Sequence, residues 1–171
     1  MSYEINDRQK MIYEFIKSSI RTKGLTLDNI RDVKYVLLNT IARFSLAKDR
    51  YLTTEISKAH LVEGNYTDGD IMARAKKKMI NGFTFEHPVP SKVIFDLIWP
   101  VRYDDEAILD ILCKTDVVTI LTTAENKLLN KLVQNMPANW SFKTDSMFAR
   151  YIDAGLEVPT ESIQTIGAIN R

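Results

Sequence analysis

Residues 83–90, Phe83-Thr84-Phe85-Glu86-His87-Pro88-Val89-Pro90, decide how the chain is read, because the hydrophobic period changes there. Aromatic and polar residues alternate from Phe83 to His87, as on a strand with one buried face, and the prolines then forbid a continuing ladder. Upstream of this point the spacing is helical throughout. Met11, Ile12, Phe15, Ile16 and Ile20 form one stripe that ends at Lys23-Gly24. Ile30, Val33, Leu37, Ile41 and Phe44 form a second, which runs on past a break at Thr53-Thr54 through Ile56, Leu61 and Val62 to Gly64-Asn65-Tyr66. A third helix is expected from Thr67, with Thr67-x-x-Asp70 as a variant capping box, to the stop at Asn81-Gly82.

Downstream, Ser91 is the expected cap of a short helix bearing Val93, Ile94, Leu97 and Ile98, ended by Pro100. Asp104-Asp105-Glu106 place negative charge where a following helix with Ile108, Leu109, Ile111 and Leu112 should begin. Val117-Val118-Thr119-Ile120-Leu121 is dense in β-branched residues and reads as a second strand. It runs into Thr122-x-x-Glu125, a capping box, ahead of a helix with Leu128, Leu129, Leu132 and Val133. A last short helix is expected from Ser146 to Ala154, with Gly155 as its stop. The pattern predicts a mainly α protein with a small β component (α+β). Its parts are a helical stretch over 1–82, a strand–insert–strand–helix unit over 83–136 and an extension over 137–171, all in one compact domain.

Composition narrows the function classes. Of 171 residues, 45% are apolar and 26% charged, a globular balance with enough chain to bury a core unaided. The net charge of +1 announces neither a nucleic-acid nor a membrane partner, so attraction to polyanions must come from local clusters. Cys113 is the only cysteine, which excludes an intramolecular disulfide and a zinc knuckle. The polar start MSYEINDRQK carries no signal-peptide h-region, and no apolar run approaches the roughly 20 residues of a membrane span. Cytoplasmic localisation is the resulting expectation.

The order strand, interruption, strand and helix, with an acid–His pair ending the first strand, resembles the ββα-metal (HNH, or His-Me finger) nucleases over residues 83–136. In that family an acidic residue and a histidine end the first strand, and a proline commonly follows, as in Glu86-His87-Pro88-Val89-Pro90. The helix after the second strand offers a metal ligand in its first turn, the position of Asn126 here. The resemblance implies a metal-dependent endonuclease with His87 activating water, and with Glu86 and Asn126 holding Mg²⁺ or another divalent cation. A neutral imidazole suits a general base near neutral pH, and Mg²⁺ accepts a carboxylate plus an amide oxygen while keeping several waters.

The chain departs from the family in four respects. It lacks the zinc-knuckle cysteines that many members carry, and its first ligand is Glu rather than Asp. The insert between the strands is longer than in compact members. The Asn that often orients the histidine has no clear match, although Thr115 and Asp116 sit nearby in sequence.

DNA, in preference to RNA, is the implied partner. Arg74, Lys76, Lys77 and Lys78 form the dense basic cluster, and Lys127 and Lys131 flank the Asn126 face, so these six are the candidate phosphate contacts. The helical N-terminal part would shape the nucleic-acid groove or the interface of a homodimer. Each residue also has an ordinary role: His87 a strand-end hydrogen-bonder, Glu86 a solvated acid, Asn126 a helix-end polar group, the basic run a solvated face. Glu125 reads as the capping-box partner that could exchange roles with Asn126. On those ordinary roles the chain is a non-catalytic α-helical interaction module, or a nucleic-acid-binding regulator that does not cleave.

Overall fold

The computed structural model describes residues 3–47, 51–64, 66, 82–159 and 161–162. It is mainly α with a small sheet, as the patterning predicts. The chain divides into two compact units, residues 1–48 with 90–116 and residues 49–89 with 117–171. The sequential boundaries at 82/83 and 136/137 are not those of the units, because residues 90–116 return to the N-terminal helices.

The first unit is helical. It contains α1 (Asp7–Ile20), α2 (Arg31–Leu46), α4 (Ser91–Ile98), a 3₁₀ turn (Trp99–Val101) and α5 (Asp105–Lys114). Asn6 caps α1 through a reciprocal box with Gln9, and α1 packs on α2, which packs on α4 and α5. Tyr13, Ile16 and Ile20 are buried, whereas Met11 and Phe15 stay exposed. The buried stripe of α1 is therefore rotated from the one the periodicity suggested, toward the capping Gln9, which is itself buried. Ser91 is not a cap: Pro90 holds the N-cap position of α4, and no side chain satisfies the free amides. Asp104 caps α5, its carboxylate accepting from the Ala107 amide at 3.0 Å.

The second unit is built on a four-stranded sheet in the order β2 (Phe83–Glu86), β3 (Thr119–Thr122), β1 (Leu52–Thr53), β4 (Glu161–Ser162). β2 runs antiparallel to β3, β1 parallel to β3, and β4 antiparallel to β1. β3 is flanked on both sides, and all four of its residues are buried, which is why that stretch reads as a continuous β-branched and apolar run rather than an alternating one. α3 (Glu55–Glu63) and α6 (Thr123–Leu132) pack on β3, and α7 (Ala149–Asp153) packs on α6. Gly155, at φ +66°, ends α7 in the left-handed conformation that favours glycine. The expected break at Thr53-Thr54 is the end of β1 and the N-cap of α3. The helix expected at 67–80 lies outside the described residues. No described helix is long and apolar enough to cross a membrane.

Candidate functional site

The second unit carries the strand–strand–helix order from which the site is built. The antiparallel ladder pairs Phe83 with Thr122, Thr84 with Leu121, Phe85 with Ile120 and Glu86 with Thr119. Side chains on paired residues share a face, and alternate rungs share the same one. Leu121 packs with Leu129 of α6 and Tyr151 of α7. Thr84, Thr119 and Glu86 therefore lie on the face covered by those two helices, while Phe85 turns to the opposite face, where its ring meets Tyr51 edge-on at 5.4 Å.

Glu86 ends β2 against a buried cation. Arg150 Nη1 donates to Glu86 Oε1 at 2.9 Å, with side-chain exposures of 2% for the arginine and 20% for the glutamate. The same guanidinium donates from Nε and Nη2 to the Val133 carbonyl, at 3.2 and 3.1 Å, and from Nη1 to the His87 carbonyl at 3.5 Å. One arginine thus joins the end of β2 to the C-terminal end of α6. Burial pushes the Glu86 carboxyl up from its ordinary value and outweighs the attraction and hydrogen bond of Arg150.

A second, buried acid of the unit, Glu125, sits at the opposite end of α6. Its carboxylate accepts from the Thr54 hydroxyl at 2.6 Å, and from the Ser57 hydroxyl, the Thr122 hydroxyl and the Thr122 amide at 2.8 Å each. Thr54 is the N-cap of α3 and Thr122 the N-cap of α6, so one carboxylate ties two helix N-termini together. The capping box read from Thr122-x-x-Glu125 is present. Burial pushes the Glu125 carboxyl up, but the bonds from Thr54, the Thr122 amide, Ser57 and the Thr122 hydroxyl prevail, and its net displacement is downward.

Asn126, next in sequence, stands about 100° around the helix from Glu125. Its Oδ1 accepts from Asn130 Nδ2 at 3.1 Å, one turn along an exposed face. Glu86 is tied through Arg150 to Val133, seven residues or about 10 Å along the helix axis from Asn126. Glu86 and Asn126 thus belong to different ends of α6, each with its own polar partner. A shared Mg²⁺ needs both oxygens about 2.1 Å from one point, and the tie to Val133 draws Glu86 away from the first helical turn. Among the described residues no cluster of three or more His, Cys, Asp or Glu side chains could hold a metal ion.

His87 follows the last residue of β2 and is half-buried. Thr115 and Asp116, its nearest sequence candidates for an orienting residue, belong to the helical unit. There Thr115 donates to the Ile111 carbonyl, and Asp116 accepts from Gln9 Nε2 at 3.0 Å. Lys127 and Lys131 are exposed on α6. Arg74, Lys76, Lys77 and Lys78 lie outside the described residues.

Arg150 is the participant that sequence reasoning missed. Its one signal was a charged residue among Phe148, Ala149, Tyr151 and Ala154, the apolar positions of a short helix. Thr54-x-x-Ser57 likewise passed as a break in a helix, although a Thr three residues before a Ser amide is a capping arrangement. No protein-family model, curated protein or solved structure matches the chain.

Proposed function

We propose that the second unit is an HNH-like module that hydrolyses phosphodiester bonds, with DNA preferred over RNA and with His87 as its general base. The observation that carries this reading is the antiparallel β2–β3 pair continuing directly into the capped α6, which packs on both strands and leaves the acid–His pair at the end of β2. His87 would take a proton from the attacking water in its neutral form. Glu86 would be held in place by Arg150, and the buried guanidinium would set the strand end that presents the imidazole. A divalent cation, when bound, would stabilise charge on the transferring phosphate, and Glu86 is the residue that would hold it. Lys127 and Lys131 would meet flanking phosphates.

The experiment is cleavage of supercoiled DNA, and separately of RNA, by wild type and His87→Ala in Mg²⁺ or in EDTA. Nicking that needs the metal and falls by about 10²-fold or more in the variant is the expected result. Equal nicking by both proteins would assign the activity to a contaminant and end this reading.

A second reading is favoured by the ties themselves. Glu86 is bonded to Arg150 and Asn126 to Asn130, so both residues already have structural employment. On this reading the protein is a non-catalytic interaction module. Neither cleavage nor salt-dependent DNA binding by wild type would select it, while binding without cleavage would mark a regulator.

A further inference from the structure

Helix α6 buries one face and leaves an apolar ridge on another. Glu125 and Leu129 are its buried residues. Leu128 and Leu132 are 41% and 55% exposed, and Ala124, one turn before Leu128, is exposed as well. The three stand at i, i+4 and i+8, in a ridge about 12 Å long that turns about 40° around the axis at each step. Lys127 and Lys131, also exposed, form a second row along the margin of that ridge away from the buried face.

The charge on this face is unbalanced. Glu125, the only acid within Thr123–Leu132, is turned inward and bonded to Thr54, Ser57 and Thr122. Lys17, Lys34 and Lys114 of the first unit each sit against an aspartate. Neither Lys127 nor Lys131 has an ion-pair partner among the described residues. A single exposed leucine is ordinary, but an apolar ridge rimmed by charge is how a helix meets another helix. Phosphates alone would engage the lysines and leave the leucines in water. An anionic lipid surface is marked by roughly four to eight clustered cations, and this face has fewer. A protein helix with an apolar stripe and acids along one margin uses both rows.

We propose that the outer face of α6 is the docking site of an acidic amphipathic helix from a partner protein. The apolar stripe of that helix lies across the Ala124–Leu128–Leu132 ridge, closest at the small Ala124, and its carboxylates meet Lys127 and Lys131. Docking requires only this face. Its consequence rests on the nuclease reading: the bound helix occupies cations that would otherwise meet phosphates, and so blocks cleavage.

The probe is a fluorescein-labelled helical peptide of about 15 residues, with leucines at i, i+4 and i+8 and glutamates along one margin. A peptide of the same composition in scrambled order is the reference. By anisotropy, the full chain should bind the first about ten-fold or more tightly than the second. Leu128→Ser/Leu132→Ser should weaken that binding about ten-fold with Tm unchanged, because both side chains are exposed. Lys127→Glu/Lys131→Glu should weaken it too, and should then prefer the peptide whose glutamates are replaced by lysines. Equal binding of the scrambled peptide, or no loss in either variant, overturns the proposal. It also falls if sedimentation shows a dimer that the leucine changes dissociate, since the face would then seat a second copy. Binding to phosphatidylserine vesicles or to DNA that the same leucine changes abolish would likewise give the face to another occupant. Specific peptide binding by a protein that never nicks DNA would leave the docking site standing and remove only the nuclease reading.

Discussion

The two ends of α6 each hold a carboxylate, and the chain treats them in opposite ways. At the N-terminal end Glu125 receives three hydroxyls and an amide, all from neutral groups, and stays below its ordinary value. At the C-terminal end Glu86 receives a full positive charge from Arg150 and nevertheless rises above it. The difference lies in the number of donors set against burial. Four short bonds at a point where two helix N-termini converge replace the hydration of Glu125 oxygen by oxygen. Glu86 has one close donor, and that donor is divided among Glu86, His87 and Val133. A formal ion pair is thus the weaker of two ways this unit buries a carboxylate, in line with the desolvation cost of such pairs.

Removing Arg150 should break the comparison most severely. Arg150→Met leaves Glu86 without its cation and the Val133 carbonyl without two donors, and loss of one partner of a buried pair costs about 3–5 kcal/mol. Urea unfolding should show that loss, and Arg150→Met/Glu86→Gln should recover part of it, because the second change removes the stranded charge. If the double variant is no better than the single, Glu86 was not ionised beside Arg150.

Glu125→Ala should come next, at about 2–4 kcal/mol, since it deprives Thr54, Ser57 and Thr122 of a common acceptor while leaving hydroxyls that can turn elsewhere. The expected signature is local: amide hydrogen exchange should accelerate over 55–63 and 123–132, the two helices whose caps meet at Glu125. Uniform acceleration across the second unit would mean that Glu125 supports the sheet as a whole instead of joining two helix ends.

A smaller effect is the pH dependence, where the two acids have opposite signs. Glu125 is depressed in the folded state, so its contribution is present above the ordinary glutamate value of 4.5 and is lost as pH falls through its folded value. Glu86 is raised, so its contribution is present below 4.5 and is lost as pH rises from there through its folded value. Each slope is at most about 1.4 kcal/mol per pH unit for one proton. Melts across this range should therefore show Glu125→Gln flattening the acid side and Glu86→Gln flattening the side above it. Identical profiles for the two variants would contradict the opposed environments.

What could be read from the sequence follows the same contrast. The cap at Glu125 was legible because a capping box is local: Thr122 and Glu125 lie three residues apart and need nothing else to meet. The reach of that carboxylate to Thr54 and Ser57, some seventy residues away in the chain, was not. The β2 and β3 strands were legible from alternation and from β-branching, and α4, α5 and α7 from their periodicity and end signals. β1 was invisible, since two residues have no period and its parallel pairing with β3 is set by tertiary packing. Glu86-His87 was found as a dipeptide, but its partner came from Arg150, a residue that no spacing rule connects to it. The expected Glu86–Asn126 pairing rested on sequence order, which does not record that Arg150 would draw Glu86 to the far end of α6.

Asn126 offers the smallest perturbation and the finest test of what the first turn of α6 does beyond capping. An exposed pair one turn apart, such as Asn126–Asn130, contributes about 0.2–0.5 kcal/mol, so Asn126→Ala should move Tm by no more than about 1–2 °C. If Glu86 alone among the two holds a cation, metal-dependent cleavage should stay within a few-fold of wild type, because nothing at the Glu86 end of the helix has changed. A drop of ten-fold or more with an unchanged melting point would return Asn126 to the metal, and would require Glu86 to leave Arg150 when nucleic acid binds. Glu125→Gln, one residue away, serves as the control: it should disturb stability well beyond the asparagine change, so activity and melting point separate the neighbour that caps from the neighbour that could coordinate.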